Sequence, residues 1–186
     1  MNIRKDGKCP PPTPPTVNGE EFKQRAIFLF NQICRIAFGL TGSEDEAMDL
    51  VQDTYLKAWT AIEQFTPGAN IKVWLAKIAY NTFVNGYHKK NRGKPVGEGR
   101  FVDNRRGPSE ALLENVMDKD IEKALKSLAE EFRSAIVLVD IGEMNYEESA
   151  MVLNSTVGAV RSRLSGGRAL LKKKLYEHAK SMEFTK

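Results

Sequence analysis

The sequence predicts an all-α fold in two small helical domains, and three observations carry that prediction. Apolar residues recur at spacings of three and four along most of the chain. No segment alternates with period two for long enough to demand a strand, and capping or breaking residues fall where the periodic runs end. With 186 residues the chain has room for one ordinary domain or two small ones. A hydrophobic content of 41% beside 28% charged residues supports real cores and excludes wholesale disorder.

Residues 1–18 read as a disordered tail, because the stretch from Cys9 to Val17 is dominated by proline and cannot form a packed element. The first helix is expected from Glu20 to Leu40, with Phe22, Ala26, Ile27, Phe30, Ile33, Cys34 and Ala37 on one face and Gly39 and Gly42 closing it. Ser43 followed by Glu46 is a capping-box pattern opening a second helix, in which Leu50, Val51, Thr54, Tyr55, Ala58 and Ile62 face inward. The turn Phe65-Thr66-Pro67-Gly68 stops it. A third helix runs from Ile71 to about Lys89, with Trp74, Leu75, Ile78, Ala79, Thr82 and Phe83 inward.

These elements make a first domain of residues 19–91. Residues 92–110 mix Gly93, Gly97, Gly99 and Gly107 with two prolines and charges of both signs, so they read as a flexible linker. The second domain, residues 111–182, opens with one helical face (Leu112, Val116, Ile121, Ala124, Leu125, Leu128) and another (Phe132, Ile136, Val137, Val139). A short helix from Tyr146 to Leu153, a break at Asn154-Ser155-Thr156 and a further helix from Val157 follow.

Charge is distributed unevenly. Between Thr41 and Tyr55 stand Glu44, Asp45, Glu46, Asp49 and Asp53 with no Lys or Arg, whereas Ser155 to Tyr176 carries Arg161, Arg163, Arg168 and Lys172 to Lys174 with no acid. A second basic stripe runs from Lys77 to Arg106. One acidic and two basic stripes suggest one cationic partner and two anionic contacts, although any single stripe also fits a solvated helix face. The longest stretch free of Lys, Arg, Asp and Glu, Ser149 to Val160, has 12 residues, short of the roughly 20 a membrane span needs. Arg4, Lys5 and Lys8 run into prolines rather than an apolar segment, so no secretory signal is read and the cytoplasm is the expected compartment.

A search for catalytic chemistry finds little. His88 and His178 have no second ligand at i+3 or i+4, two cysteines make neither a disulfide framework nor a four-ligand metal site, and the linker glycines do not form a phosphate cradle. No enzyme, metal or cofactor is expected. The last two helices instead form a helix-turn-helix, whose second helix enters a major groove. Ser155 or Thr156 can cap that helix, bringing the amides of Val157 and Gly158 to a phosphate, while Arg161 lies one turn in beside Ser162 and Ser165. Arg168 and Lys172 to Lys174 suit phosphates; the bland alternative is an αα-hairpin with a basic surface.

In the first domain, the loop from Phe65 to Asn70 joins exposed aromatics to cations, a mixture that suits single-stranded DNA: bases stack or enter a loop pocket while Lys72, Lys77, Lys89 and Lys90 track the backbone. Trp74, at helical spacing to Ile78, reads as core. Tyr87 and His88, beside Lys89 and Lys90, lean toward contact.

Three blocks together carry a resemblance: Asp49 to Trp59 (DLVQDTYLKAW), Trp74 to Asn81 (WLAKIAYN), and Asn145-Tyr146-Glu147-Glu148 with Val157 to Leu164 (VGAVRSRL). In this order the chain resembles the extracytoplasmic-function (ECF, group IV) sigma factors of the sigma-70 family, over about residues 20–90 and 110–176. The resemblance implies sigma region 2 and region 4, with core RNA polymerase (clamp helices and flap region) and promoter DNA, duplex and melted, as partners. It assigns Asp49, Gln52, Asp53 and Lys57 to the clamp helices of the largest subunit. Ala61, the loop containing Phe65, Pro67, Gly68 and Asn70, and Asn81 fall to a flipped base of the minus-10 element, with Lys72, Lys77, Tyr87, His88, Lys89 and Lys90 along the melted strand. Thr156, Val157, Gly158, Arg161, Ser162, Ser165 and Arg168 fall to the minus-35 element.

Some members of the family are held by an anti-sigma protein; nothing in this sequence selects one. Gly166, followed by Gly167, departs from the family pattern, where an arginine is common, and implies a lost DNA contact and a weaker helix. The alternative from another class is an autonomous helix-turn-helix regulator that binds a duplex operator as a dimer without polymerase.

Overall fold

The computed structural model describes residues 19–91 and 118–183, the side chains of 87–91 and 181–183 excepted, and among these every regular element is helical. The expected tail, the linker and the start of the second domain at 111–117 lie outside the described residues. No described helix is long and apolar enough to cross a membrane.

The first expected helix is two. α1 (Gly19–Phe28) and α2 (Phe30–Thr41) meet at Leu29. There the carbonyl of Ala26 accepts the Leu29 amide at 3.2 Å and the Tyr55 hydroxyl at 2.8 Å. A tertiary hydroxyl and a tightened turn thus share the acceptor that a continuous helix would offer to Phe30. Gly39 does not close α2; Gly42 does, with φ 65° and its amide on the Phe38 carbonyl at 2.7 Å.

α3 (Glu44–Thr60) follows Ser43, whose side chain makes no capping bond. The Thr41 hydroxyl instead ties the turn, sharing its proton between the carbonyls of Ala37 and Ser43 at 2.9 and 3.1 Å. A 3-10 turn (Ile62–Gln64) leads into the loop before α4 (Ile71–Asn91). Phe65 is buried in that loop, against Phe22 and Trp74, with the three ring centroids 5.2–5.6 Å apart edge to face. The expectation of an exposed Phe65 is therefore corrected: the ring locks the loop onto the core, and such pairs contribute about 0.5–1.5 kcal/mol each beyond their burial.

In the second domain α5 (Lys119–Lys126) starts at Asp118, which accepts the Asp120 amide at 2.8 Å. α6 (Glu130–Ile136) runs into a wide π turn (Val137–Ile141) closed by the Gly142 amide on the Val137 carbonyl at 2.7 Å. α7 (Tyr146–Val152) and the long α8 (Val157–Glu183) complete it.

The two domains share a core. Ile33, Ile36 and Leu40 of α2 are fully buried in the same cluster as Val137, Leu138 and Leu164. The approach is close enough that a Cβ on Gly39 would sit 2.8 Å from Val137 Cγ2. Polar contacts surround that apolar centre: Gln32 donates to the Gly142 carbonyl, Lys126 to the Gly42 carbonyl at 2.8 Å, and Tyr80 to Glu130 at 2.8 Å. The Arg133 guanidinium lies 5.5 Å from the centre of the Phe83 ring.

Candidate polymerase and nucleic-acid interfaces

Asp49, Gln52, Asp53 and Lys57 all stand exposed on α3. Lys57 leans across to α4 and donates to the Thr82 hydroxyl at 3.0 Å, so the outermost part of the face is acidic and amide. Leu56 and Trp59 are 64% and 54% exposed on the same helix, an unusual cost for large apolar side chains unless something covers them. The sequence reading did not single them out. Their signal is spacing: Gln52, Leu56 and Trp59 follow one another at i+4 and i+3 on the face opposite the buried Leu50, Thr54 and Ala58.

Ala61 caps the C-terminus of α3 and is half-buried. Pro67 and Gly68 project from the loop, where Gly68 takes φ 84°. Asn70 opens α4: its Oδ1 accepts the Lys72 amide at 3.0 Å and the Val73 amide at 3.4 Å, which aims its Nδ2 outward. Lys77 and Asn81 are exposed along α4. The side chains of Tyr87, His88, Lys89 and Lys90 lie outside the described residues.

Asn70 and Lys72 are engaged by the other domain. Glu148 of α7 accepts Asn70 Nδ2 at 2.7 Å on one oxygen and Lys72 Nζ at 2.8 Å on the other. The second oxygen also accepts the Asn145 amide at 3.0 Å, completing a capping box in which Asn145 accepts the Glu148 amide at 2.8 Å. Burial opposes ionisation of Glu148, but the bonds from Lys72, the Asn145 amide and Asn70 outweigh it and hold its pKa below the usual carboxylate value.

The helix-turn-helix forms as the sequence predicts. Asn154 takes φ 48°, the Ser155 amide reaches back to the Ala150 carbonyl at 2.9 Å, and Thr156 caps α8 by accepting the Ala159 amide at 3.2 Å. Gly158, Arg161, Ser162 and Ser165 are exposed on the first turns of α8, with Val157 half-buried. The Arg161 guanidinium lies 5.2 Å from the centre of the Tyr146 ring. Arg168 points back instead, as a two-bond pair with Asp140 of the π turn, which raises its pKa through that hydrogen bond and charge.

The expectation for Gly166 is revised by packing. A Cβ there would lie 3.1 Å from Phe132 Cε1, and one on Gly167 would lie 3.0 Å from Ile136 Cδ1 and 3.2 Å from the Phe132 carbonyl. The pair lets α8 press against α6, so a side chain at 166 would be directed at Phe132 rather than away from the domain.

These features define a two-domain all-α protein with an acidic, apolar-studded helix on one domain and a capped helix-turn-helix on the other. Residues 29–93 match the family described as Sigma-70 region 2, and residues 118–171 match Sigma-70, region 4. The ECF RNA polymerase sigma factor EcfG of Rhodopseudomonas palustris is 32% identical over 75% of this chain and 77% of its own length. The ECF sigma factor SigE of Mycolicibacterium smegmatis is 31% identical over 80% of this chain, which spans 59% of that relative's length. Among solved structures, the sigma factor RpoE of Bartonella quintana, in complex with the anti-sigma factor NepR, superposes with TM-score 0.69 at 30% identity, covering 84% of this chain and 98% of that one. CnrH, in complex with the cytosolic domain of CnrY, gives 0.60 at 28% identity over 87% and 91%. The chain belongs to the ECF sigma factors of the sigma-70 family.

Proposed function

We propose that the chain is a dissociable subunit that directs bacterial RNA polymerase to its promoters, working in the cytoplasm without bond chemistry of its own. The observation that supports this best is the presence of regions 2 and 4, in order, on one chain. Asp49, Gln52 and Asp53, extended by Leu56 and Trp59, form a mixed acidic and apolar surface suited to the polymerase clamp helices. Pro67, Gly68 and Asn70 present the pocket for a flipped minus-10 base, while Lys72, Lys77, Asn81 and the Tyr87–Lys90 segment follow the melted strand. Phe65 holds that loop in place from beneath. Arg161, Ser162 and Ser165 read minus-35 base edges, with the start of α8 at a phosphate and Arg168 reaching another once it leaves Asp140. An anti-sigma protein is a further partner class, since one solved relative, the sigma factor RpoE of Bartonella quintana, is in complex with such a factor.

The test is co-elution with sigma-free core polymerase, followed by transcription of fragmented genomic DNA with and without the chain. New start sites sharing two elements are expected. Failure to bind polymerase, together with tight duplex binding by the chain alone, would replace this reading with an autonomous regulator.

A further inference from the structure

Glu148 sits where an anionic ligand of the first domain would sit. Its carboxylate takes one amide donor from Asn70 and one ammonium donor from Lys72, residues 78 and 76 positions earlier in the chain. The contact is sheltered: the Lys72 and Glu148 side chains are 20% and 13% exposed. Lys72 Nζ also reaches the Glu143 carbonyl at 3.4 Å, and Arg35 pairs with the Glu143 carboxylate at 3.3 Å. Beside these bonds lies an open cleft of about 900 Å³, with Asn70, Trp74 and Lys77 on one wall and Met151, Thr156 and Val157 on the other. The proposed minus-10 and minus-35 surfaces therefore face each other across one gap.

A pair of donors that satisfies a carboxylate in two bonds offers the same to a phosphodiester, whose oxygens make equivalent charge-assisted hydrogen bonds. We infer that Glu148 is an internal competitor of the DNA strand: it occupies Asn70 and Lys72 in the closed chain, so domain closure and strand capture exclude each other until the domains separate. The inference rests on the strand-binding reading of Asn70 and Lys72. Glu148 has a double duty in this scheme, since the carboxylate that caps α7 also holds the first domain against it. The shared core and this carboxylate together hold the domains closed, and the carboxylate also supplies the competition.

The experiment uses the full chain and three variants. Glu148→Gln keeps the shape and can still accept the Asn145 amide, but loses the charge that holds Lys72. Glu147→Gln makes the same charge change on an exposed neighbour. Gly39→Leu pushes against Val137 and parts the domains without altering the capping box. Small-angle scattering reports compactness, and fluorescence anisotropy reports affinity for a pool of random-sequence single-stranded DNA oligonucleotides. Glu148→Gln is expected to expand the chain and to tighten strand binding about tenfold, the effect of losing one charge-assisted bond. Gly39→Leu is expected to give a similar gain, and Glu147→Gln only the small general increase of one fewer negative charge. Unchanged compactness in Glu148→Gln, with affinity equal to that of Glu147→Gln, overturns the competition. Expansion of both Glu148→Gln and Gly39→Leu with unchanged strand affinity overturns it differently, by removing Asn70 and Lys72 from the strand site.

Discussion

The two proposed DNA surfaces differ in readiness. On α8 the reading residues Arg161, Ser162 and Ser165 are exposed, and Thr156 already caps the helix that presents them. On α4 the equivalent donors, Asn70 and Lys72, are held by a carboxylate of the other domain. The proposed minus-35 surface is thus built in advance, whereas the proposed minus-10 surface is built and then covered. On the proposed reading, duplex recognition requires only an approach, whereas strand capture requires the chain to open first.

Gly39→Leu breaks this contrast most strongly. Its side chain would overpack Val137 and Ile141 across the shared core, at a cost of about 3 kcal/mol. Chemical denaturation should split one transition into two as the domains lose their common cluster. Arg161→Ala sharpens the contrast from the other side: about 2 kcal/mol of discrimination should vanish at one minus-35 base pair while scattering shows an unchanged compact chain. Equal loss at all positions would make Arg161 a phosphate contact. Thr156→Ala should remove about 1 kcal/mol from α8 through its lost cap, seen as a lower melting temperature and faster amide exchange at Val157 to Ala159.

The smallest effect is with pH. Glu148 has a lowered pKa in the closed chain, so its contribution to closure is fully present above the ordinary carboxylate value and fades as pH falls through the depressed one. The groups facing it are Lys72, Asn70 and the Asn145 amide, with the Glu143 carbonyl beyond Lys72. Acidification should therefore open the chain through this carboxylate. Compactness of Glu148→Gln should lose that part of the pH dependence.

Much of this was legible in the sequence because it is local. Helix faces follow apolar spacing, and the helix-turn-helix follows from Asn145, Asn154 and Thr156 within a dozen residues. What was not legible depends on partners far away in the chain. The break at Leu29 needs the Tyr55 hydroxyl, the burial of Phe65 needs Phe22 and Trp74, and the close packing at Gly166 and Gly167 needs Phe132 and Ile136. Ser43 shows a local rule failing locally: the capping-box pattern with Glu46 is in place, yet the Ser43 side chain makes no capping bond. The contact most absent from the sequence reading, Glu148 with Asn70 and Lys72, joins two motifs that each have a separate explanation.

Cys34 carries a practical consequence. It is a free thiol, 4% exposed inside the first domain, and burial pushes its pKa up to about 11. At neutral pH the thiol is therefore held in its unreactive protonated form. Alkylation of this position is therefore a clock that runs only when the interior of α2 is exposed. Separation of the two domains as intact bodies should leave that clock almost still, while true unfolding should start it, so one sulfur atom distinguishes a hinge from a melt.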